Sequence, residues 1–363
     1  METDGRVEAI RKAFPVRAVV VPFIVSRIIA IGAVASGGTN KGHVSFGGLT
    51  YWDSVWYLNI ASAGYGPPPI DGEQSPWPFF PLYPAMVRAL HEVGVPYQAA
   101  MVLISNGFLL IGLAGLWRIA SWVVPGRAAH LTVWSCALFP FAVVFSMGYV
   151  SSIVLATTTW AWIWVEDRRD AWAACALLVL VASRPNGFLF GFVLLIAVYA
   201  LERRADRTNA AAATARRVTV LAVPSLLFVA VWCALCWRWT DDPLVFLTAK
   251  DAWDESTIAT LFHPENAAKP HLMAAAVSVV VIAWWGRRWT TATMGWVVLS
   301  IGPPLVLGIV GLGRYINETF PVFVAAGAFL ARLPRVLSYL ALTGSVIAMV
   351  VFANAMVRYR YLP

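Results

Sequence analysis

The chain has 363 residues, of which 60 % are hydrophobic and 13 % charged, and it carries 18 tryptophans. Soluble domains carry about 25 % charge, and one of this size cannot hide so much apolar surface from water. Disordered, fibrous and disulfide-rich secreted classes are excluded on the same grounds, which leaves an all-α polytopic membrane protein. The net charge of +8 gives no basic stripe on a soluble fold, so no nucleic-acid partner is expected; in a membrane protein the excess sets orientation.

The first apolar run is Val16 to Ser36, preceded by Arg6, Arg11 and Lys12. Ala33-Val34-Ala35 has the composition of a signal-peptide cleavage site. The run is long and Arg27 interrupts it, so it reads as an uncut anchor. Further runs follow at Ala99–Trp122, Ala128–Met147, Tyr149–Val165, Ala171–Ser183, Gly187–Leu201, Arg217–Trp237, His271–Trp285, Thr290–Gly311, Tyr315–Leu330 and Val336–Met356. This predicts a single transmembrane domain over 1–363 with about eleven spans, several of them short. With the N-terminus in the cytoplasm, most of the 27 basic residues fall on the cytoplasmic side, among them Arg168, Arg169, Arg203, Arg204, Arg287 and Arg288. The acids lean the other way, as the positive-inside rule requires.

Two long segments are then external, 37–98 and 238–270. In the first, Trp52, Trp56 and Tyr57 predict a helix lying among membrane headgroups. Asp53 starts that helix. It reads either as a helix N-cap or as a general base that takes a proton from an acceptor hydroxyl. Gly66-Pro67-Pro68-Pro69 marks irregular backbone, and Glu73 follows in a solvated loop. The piece Phe79–Val93 is too short and polar to span easily and reads as a second interfacial helix, with Pro81 and Pro84 at a rigid corner.

Ser183-Arg184-Pro185-Asn186-Gly187 joins two short runs, which predicts a non-helical break below the membrane surface. Such breaks persist where protein or a water-filled cavity satisfies the backbone. Arg184 there either snorkels or holds an anion, for which the guanidinium suits phosphate. Arg314 and Glu318 either pair with each other at helical spacing or, for the arginine, join Arg184 and Lys250 around a lipid phosphate. Arg27 falls inside the first span, where a bare charge is costly and a partner or cavity is required.

No metal is indicated. Cys233-x-x-Cys236 has no second pair or nearby His. His43, His91, His130, His263 and His271 form no ligand pair, and Asp241-Asp242 precedes Pro243 as a turn would. Nucleotide-binding motifs are absent, the cytoplasmic loops are short, and no internal repeat supports a transporter.

These residues together resemble the PIG-V family of mannosyltransferases, multi-spanning glycosyltransferases of the GT-C class. The family's Trp-Asp and following Ile-Ala-x-x-Gly-Tyr are met at Trp52-Asp53, Ile60-Ala61 and Gly64-Tyr65. Its Phe-Phe-Pro-Leu-Tyr-Pro is met at Phe79 to Pro84, and its Arg-x-Asn-Gly at Arg184 to Gly187. Its Asp-Pro-x-x-Phe-x-x-Ala-Gln is met from Asp242 to Ala249 with Lys250 in place of Gln, and its late Arg-Tyr at Arg314-Tyr315. The chain departs from the pattern at Tyr149-Val150-Ser151-Ser152, where members often carry an acid. Length and an Ala/Arg/Trp-rich composition are similar to bacterial, actinobacterial-type members, for which a GPI acceptor is not expected.

The resemblance implies a GT-C-like bundle and an inverting, metal-free transfer of mannose from polyprenyl-phosphate-mannose. The expected acceptor is a hydroxyl of a lipid-anchored glycan at the non-cytoplasmic face; a lipoglycan, a phosphatidylinositol mannoside, another glycolipid and a protein hydroxyl all stay open. It implies Asp53 as base and Arg184, Arg314 and Lys250 around the donor phosphate. Trp52, Tyr57, Tyr65, Glu73, Asn186, Tyr315 and Glu318 then line the sugar and acceptor. A flippase of lipid-linked sugars needs the same cavity and arginines without a base, and arabinose remains an alternative sugar.

Overall fold

The computed structural model describes residues 16–37, 47–70, 72–204, 210–250, 252, 269–307 and 309–358. The basic residues before Val16, His43, His263 and most of the second external segment lie outside them. The described residues are 83 % helical, and no strand occurs among them. In chain order the helices are α1 (Val16–Gly37), α2 (Asp53–Ala63), α3 (Leu82–Glu92), α4 (Tyr97–Val123), α5 (Gly126–Ala137), α6 (Ser151–Glu166), α7 (Asp170–Ser183), α8 (Gly187–Arg204) and α9 (Ala210–Thr240). They continue with α10 (Val245–Thr248), α11 (Lys269–Trp285), α12 (Thr291–Leu307), α13 (Leu312–Glu318), α14 (Phe320–Arg332) and α15 (Arg335–Val357).

Each apolar run read from the sequence contains at least one helix. Among the described residues five helices are long and apolar enough, by length and composition, to cross a membrane alone: α1, α4, α9, α15, and α11 with the turn that extends it to Arg288. Others are short. At 14 residues, α7 is about 21 Å long, below the ~30 Å of a hydrocarbon core.

Two runs expected as unbroken spans are interrupted. The run Ala128–Met147 stops being α-helical at Ala137 and continues as a short 3₁₀ turn over Ala142–Ser146. Pro140 lies between them, where it lacks an N–H and disfavours helix in the residue before it. The run Tyr315–Leu330 breaks at Thr319, and Pro321 sits in the first turn of the new helix. Non-helical backbone at such depth must find partners. At the first break Arg27 supplies them. Its guanidinium, 5 % exposed, donates to the carbonyls of Ala142 (2.9 Å) and Ala137 (3.2 Å) and to Ser146 Oγ (3.0 Å). The buried charge in the first span is therefore a clamp across α5 and its 3₁₀ extension.

The centre of the bundle is α6, buried along nearly its whole length and packed against α4 and α7. Small residues let α4 come close. A Cβ on Gly115 would lie against Thr159 Oγ1 and 2.8 Å from Thr159 Cβ, so a side chain there would push the two helices apart. Thr157, Thr158 and Thr159 each return their hydroxyl to a carbonyl four residues back at 2.7 Å, which leaves none of them unsatisfied in the apolar core.

The bundle has two polar ends. At one, where α6 finishes and α7 begins, Arg217 bonds Asp170, Glu202 and the Val165 carbonyl, and Glu202 also accepts from Arg168 at 2.6 Å. Following α6 back to its start, or α7 to its end, leads to the other.

Candidate active site

The chain approaches α2 through a short 3₁₀ turn at Gly47–Thr50. Leu49 docks on the segment before α6, its carbonyl accepting from the Gly148 N–H at 2.9 Å. A Cβ on Gly148 would come within 3.1 Å of the Ser54 side chain, so this glycine lets the start of α2 close onto the bundle. The N-cap position is Trp52, with φ 59° and ψ −130° and no side-chain cap bond. Such a φ is uncommon for a residue with a Cβ.

Asp53 therefore opens α2 without capping it. Its carboxylate turns away from the helix and pairs with the Arg314 guanidinium, while its own N–H donates to the Tyr149 hydroxyl at 3.2 Å. Arg314 comes from α13. One turn later on the same helix, Glu318 accepts from Arg184 at 2.5 Å. Arg184 sits in the break between α7 and α8, extended at φ −159° and ψ 134° as a residue before proline prefers. Arg314 and Glu318, four apart on one helix, thus each face outward to a distant partner rather than each other.

The rings complete the cluster. The Arg184 guanidinium lies 4.3 Å over the Tyr315 ring, and that of Arg314 lies 5.3 Å from Tyr149 and 5.6 Å from Tyr315. Tyr57 packs edge-on against Phe79 and Tyr83 at 5.0 Å. Burial, then the nearby Asp53 charge, push its phenol above its ordinary range, with both arginines opposing; it stands as a neutral hydroxyl beside the four charges.

Side-chain exposure falls from 30 % at Asp53 through 17 % at Arg314 and 11 % at Arg184 to 4 % at Glu318. Asp53 is thus at the wet edge and Glu318 at the floor. The four charges sum to zero, but the site is not saturated. Among the described residues Arg314 Nε, Glu318 Oε1 and Asn317 Oδ1 are buried without a hydrogen-bond partner. Buried polar atoms in that state are open to a further hydrogen-bond partner. Two guanidinium groups over one ring form a socket for a planar or tetrahedral anion.

The other residues expected here divide. Trp52 and Asn186 are half-buried beside Asp53 and Arg184 in the chain, and Tyr315 lies within the cluster. Lys250 is exposed just beyond α10, close enough for its charge to act on Tyr315. Tyr65 spends its hydroxyl on the Phe79 carbonyl at 2.6 Å and packs against Trp77 and Trp232, which fixes the loop between α2 and α3. Glu73 is exposed in that loop. No set of three or more His, Cys, Asp and Glu side chains that could hold a metal occurs among the described residues. Sequence reading missed Tyr149. Its signals are a break between two runs on the same side as Asp53 and its place at the head of the Tyr149-Val150-Ser151-Ser152 stretch, and neither assigns it a role.

No family model and no curated protein sequence matches the chain. Solved structures do. Over 95 % of its length the chain is similar to ArnT from Cupriavidus metallidurans bound to undecaprenyl phosphate, with a TM-score of 0.55 at 12 % identity, covering 77 % of that chain. It is also similar to the oligosaccharyltransferase of Archaeoglobus fulgidus in the apo form, with a TM-score of 0.60 at 11 % identity over 96 % of this chain and 56 % of that one. The archaeal oligosaccharyltransferase AglB from Archaeoglobus fulgidus in complex with an inhibitory peptide and a dolichol-phosphate gives a TM-score of 0.53 at 11 % identity over 96 % of this chain and 56 % of that one. These are GT-C membrane enzymes, and the chain has their fold. It spans little more than half the length of the oligosaccharyltransferase.

Proposed function

We propose that the protein is a membrane glycosyltransferase of the PIG-V type. It moves mannose, with inversion, from polyprenyl-phosphate-mannose to a hydroxyl of a lipid-anchored glycan at the non-cytoplasmic face. The observation that carries the reading is the convergence of Asp53, Arg184 and Arg314 from three remote parts of the chain at one end of a GT-C fold. The polyprenyl carriers bound to ArnT and AglB belong to the chemical class of the proposed donor.

In this reading the donor phosphate takes the place of the Asp53 carboxylate on Arg314 and adds to Arg184. The freed carboxylate accepts the proton of the acceptor hydroxyl. The acceptor oxygen attacks the anomeric carbon from the face opposite the phosphate, the bond from that carbon to the phosphate oxygen breaks, and polyprenyl phosphate leaves. Negative charge growing on the leaving oxygens meets two guanidinium groups that need no reorganisation, with Lys250 nearby. Glu318 orients Arg184 through one oxygen, and its other oxygen accepts from a sugar hydroxyl. Trp52, Tyr57, Asn186 and Tyr315 line the sugar.

The test is product analysis. Purified protein in lipid nanodiscs is given radiolabelled polyprenyl-phosphate-mannose and a membrane glycolipid extract. The expected result is a labelled glycolipid whose new linkage has the anomeric configuration opposite to the donor's. Label that crosses a proteoliposome bilayer still attached to its carrier, with no new product, supports a flippase instead.

A further inference from the structure

Asp53 is the first residue of α2 and follows a residue in left-handed backbone. A helix start of this kind has no side-chain cap to hold it, and the carboxylate that projects from it has no fixed neighbour on its own helix. Arg314 holds the carboxylate, and Tyr149 holds the backbone from which it projects. The phenol oxygen accepts the Asp53 N–H at 3.2 Å, and the same ring lies 5.3 Å from the Arg314 guanidinium. One side chain thereby touches both members of the ion pair, at the backbone of one and the charged group of the other.

Tyr149 is well anchored for such a role. It is 2 % exposed, and its carbonyl accepts from Ser105 Oγ at 3.3 Å, which in turn meets the Tyr83 hydroxyl at 3.1 Å. The line from Asp53 thus runs through Tyr149 into α4 and α3, whose Tyr83 packs on Tyr57. Orienting groups of this kind decide whether a base lies within reach of its proton.

We propose that Tyr149 is a positioning residue for the transfer: its hydroxyl holds the Asp53 backbone so that the carboxylate, once released from Arg314, faces the acceptor hydroxyl. This rests on the glycosyltransferase reading above. The ring and the hydroxyl act separately. The ring supports Arg314 and so the donor phosphate. The hydroxyl supports Asp53 and so the chemical step.

The two parts can be separated by substitution. Tyr149→Phe keeps the ring and removes the acceptor of the Asp53 N–H, whereas Tyr149→Leu removes both. In nanodiscs, Tyr149→Phe is expected to lower kcat by about tenfold, as one lost orienting hydrogen bond should, with the donor KM unchanged. Hydrogen exchange at the Asp53 amide should accelerate, and the melting temperature should stay near that of the wild type. Tyr149→Leu should also raise the donor KM. An unchanged kcat in an otherwise active enzyme, or unchanged exchange at Asp53, overturns the role of Tyr149 alone. Equal losses in kcat, donor binding and thermal stability also overturn it, in favour of a simple core residue. A wild type that transfers no sugar overturns the glycosyltransferase reading and this role together.

Discussion

The carboxylate of Asp53 and the guanidinium of Arg314, 261 residues apart in the chain, meet as an ion pair at the partly wet end of the bundle. The pair joins the proposed base to a proposed phosphate ligand, so the two groups neutralise each other until a donor arrives. In the proposed reaction donor binding and release of the base are one event, because a phosphate on Arg314 would take the place of the carboxylate.

Asp53→Asn therefore has two opposite effects. Transfer should fall by about 10²- to 10⁴-fold, the usual cost of losing a general base. Donor affinity should hold or improve, since Arg314 no longer has a competing carboxylate. Single-turnover transfer and equilibrium binding of the labelled donor measure the two separately.

Arg314→Ala should weaken donor binding by roughly 10- to 150-fold, corresponding to about 1.5–3 kcal/mol for hydrogen bonds to a charged group. Its effect on stability should be small. Asp53 is 30 % exposed, and water can solvate the carboxylate that is left. Donor binding and thermal melting of the same preparation check both statements.

Arg184→Met behaves differently, because Glu318 is only 4 % exposed and would be left charged and alone. Breaking a buried pair from one side costs about 3–5 kcal/mol. The double variant Arg184→Met, Glu318→Leu should recover most of the lost melting temperature and none of the transfer activity. A double variant as unstable as the single one would show that the pair is not what the stability depends on.

Arg27→Met should destabilise the bundle without touching the reaction. It strands the carbonyls of Ala137 and Ala142, at about 1–3 kcal/mol for each buried unsatisfied group, while Ser146 keeps Asn106 at 2.9 Å. The expected outcome is a lower melting temperature in detergent with an unaltered donor KM in the folded fraction.

Much of the fold is legible in the sequence, because a membrane span declares itself by uninterrupted apolar length and the interfacial helices by their aromatic residues. The breaks at Ala137 and Thr319 are harder to see. Pro140 and Pro321 signal them, yet a proline inside a long apolar run is also compatible with a kinked span. The charged residues were picked out by their cost in lipid, but their pairing was not. Local spacing favours Arg314 with Glu318, four residues apart, whereas the fold turns both outward to Asp53 and Arg184. The capping alternative for Asp53 fails for the same reason, since a carboxylate drawn to a guanidinium across the bundle is unavailable to its own helix. Tyr149 stands in a stretch the sequence singles out for a missing acid, yet nothing local to it reveals that Asp53 and Arg314 will close on either side.

The most direct test of the account compares wild type and Asp53→Asn in nanodiscs with radiolabelled polyprenyl-phosphate-mannose and a glycolipid extract, following transfer and donor binding in the same samples. The account predicts a labelled product from the wild type, none above background from Asp53→Asn, and donor bound by both. Equal transfer by the two proteins would contradict it, because Asp53 could then not be the base.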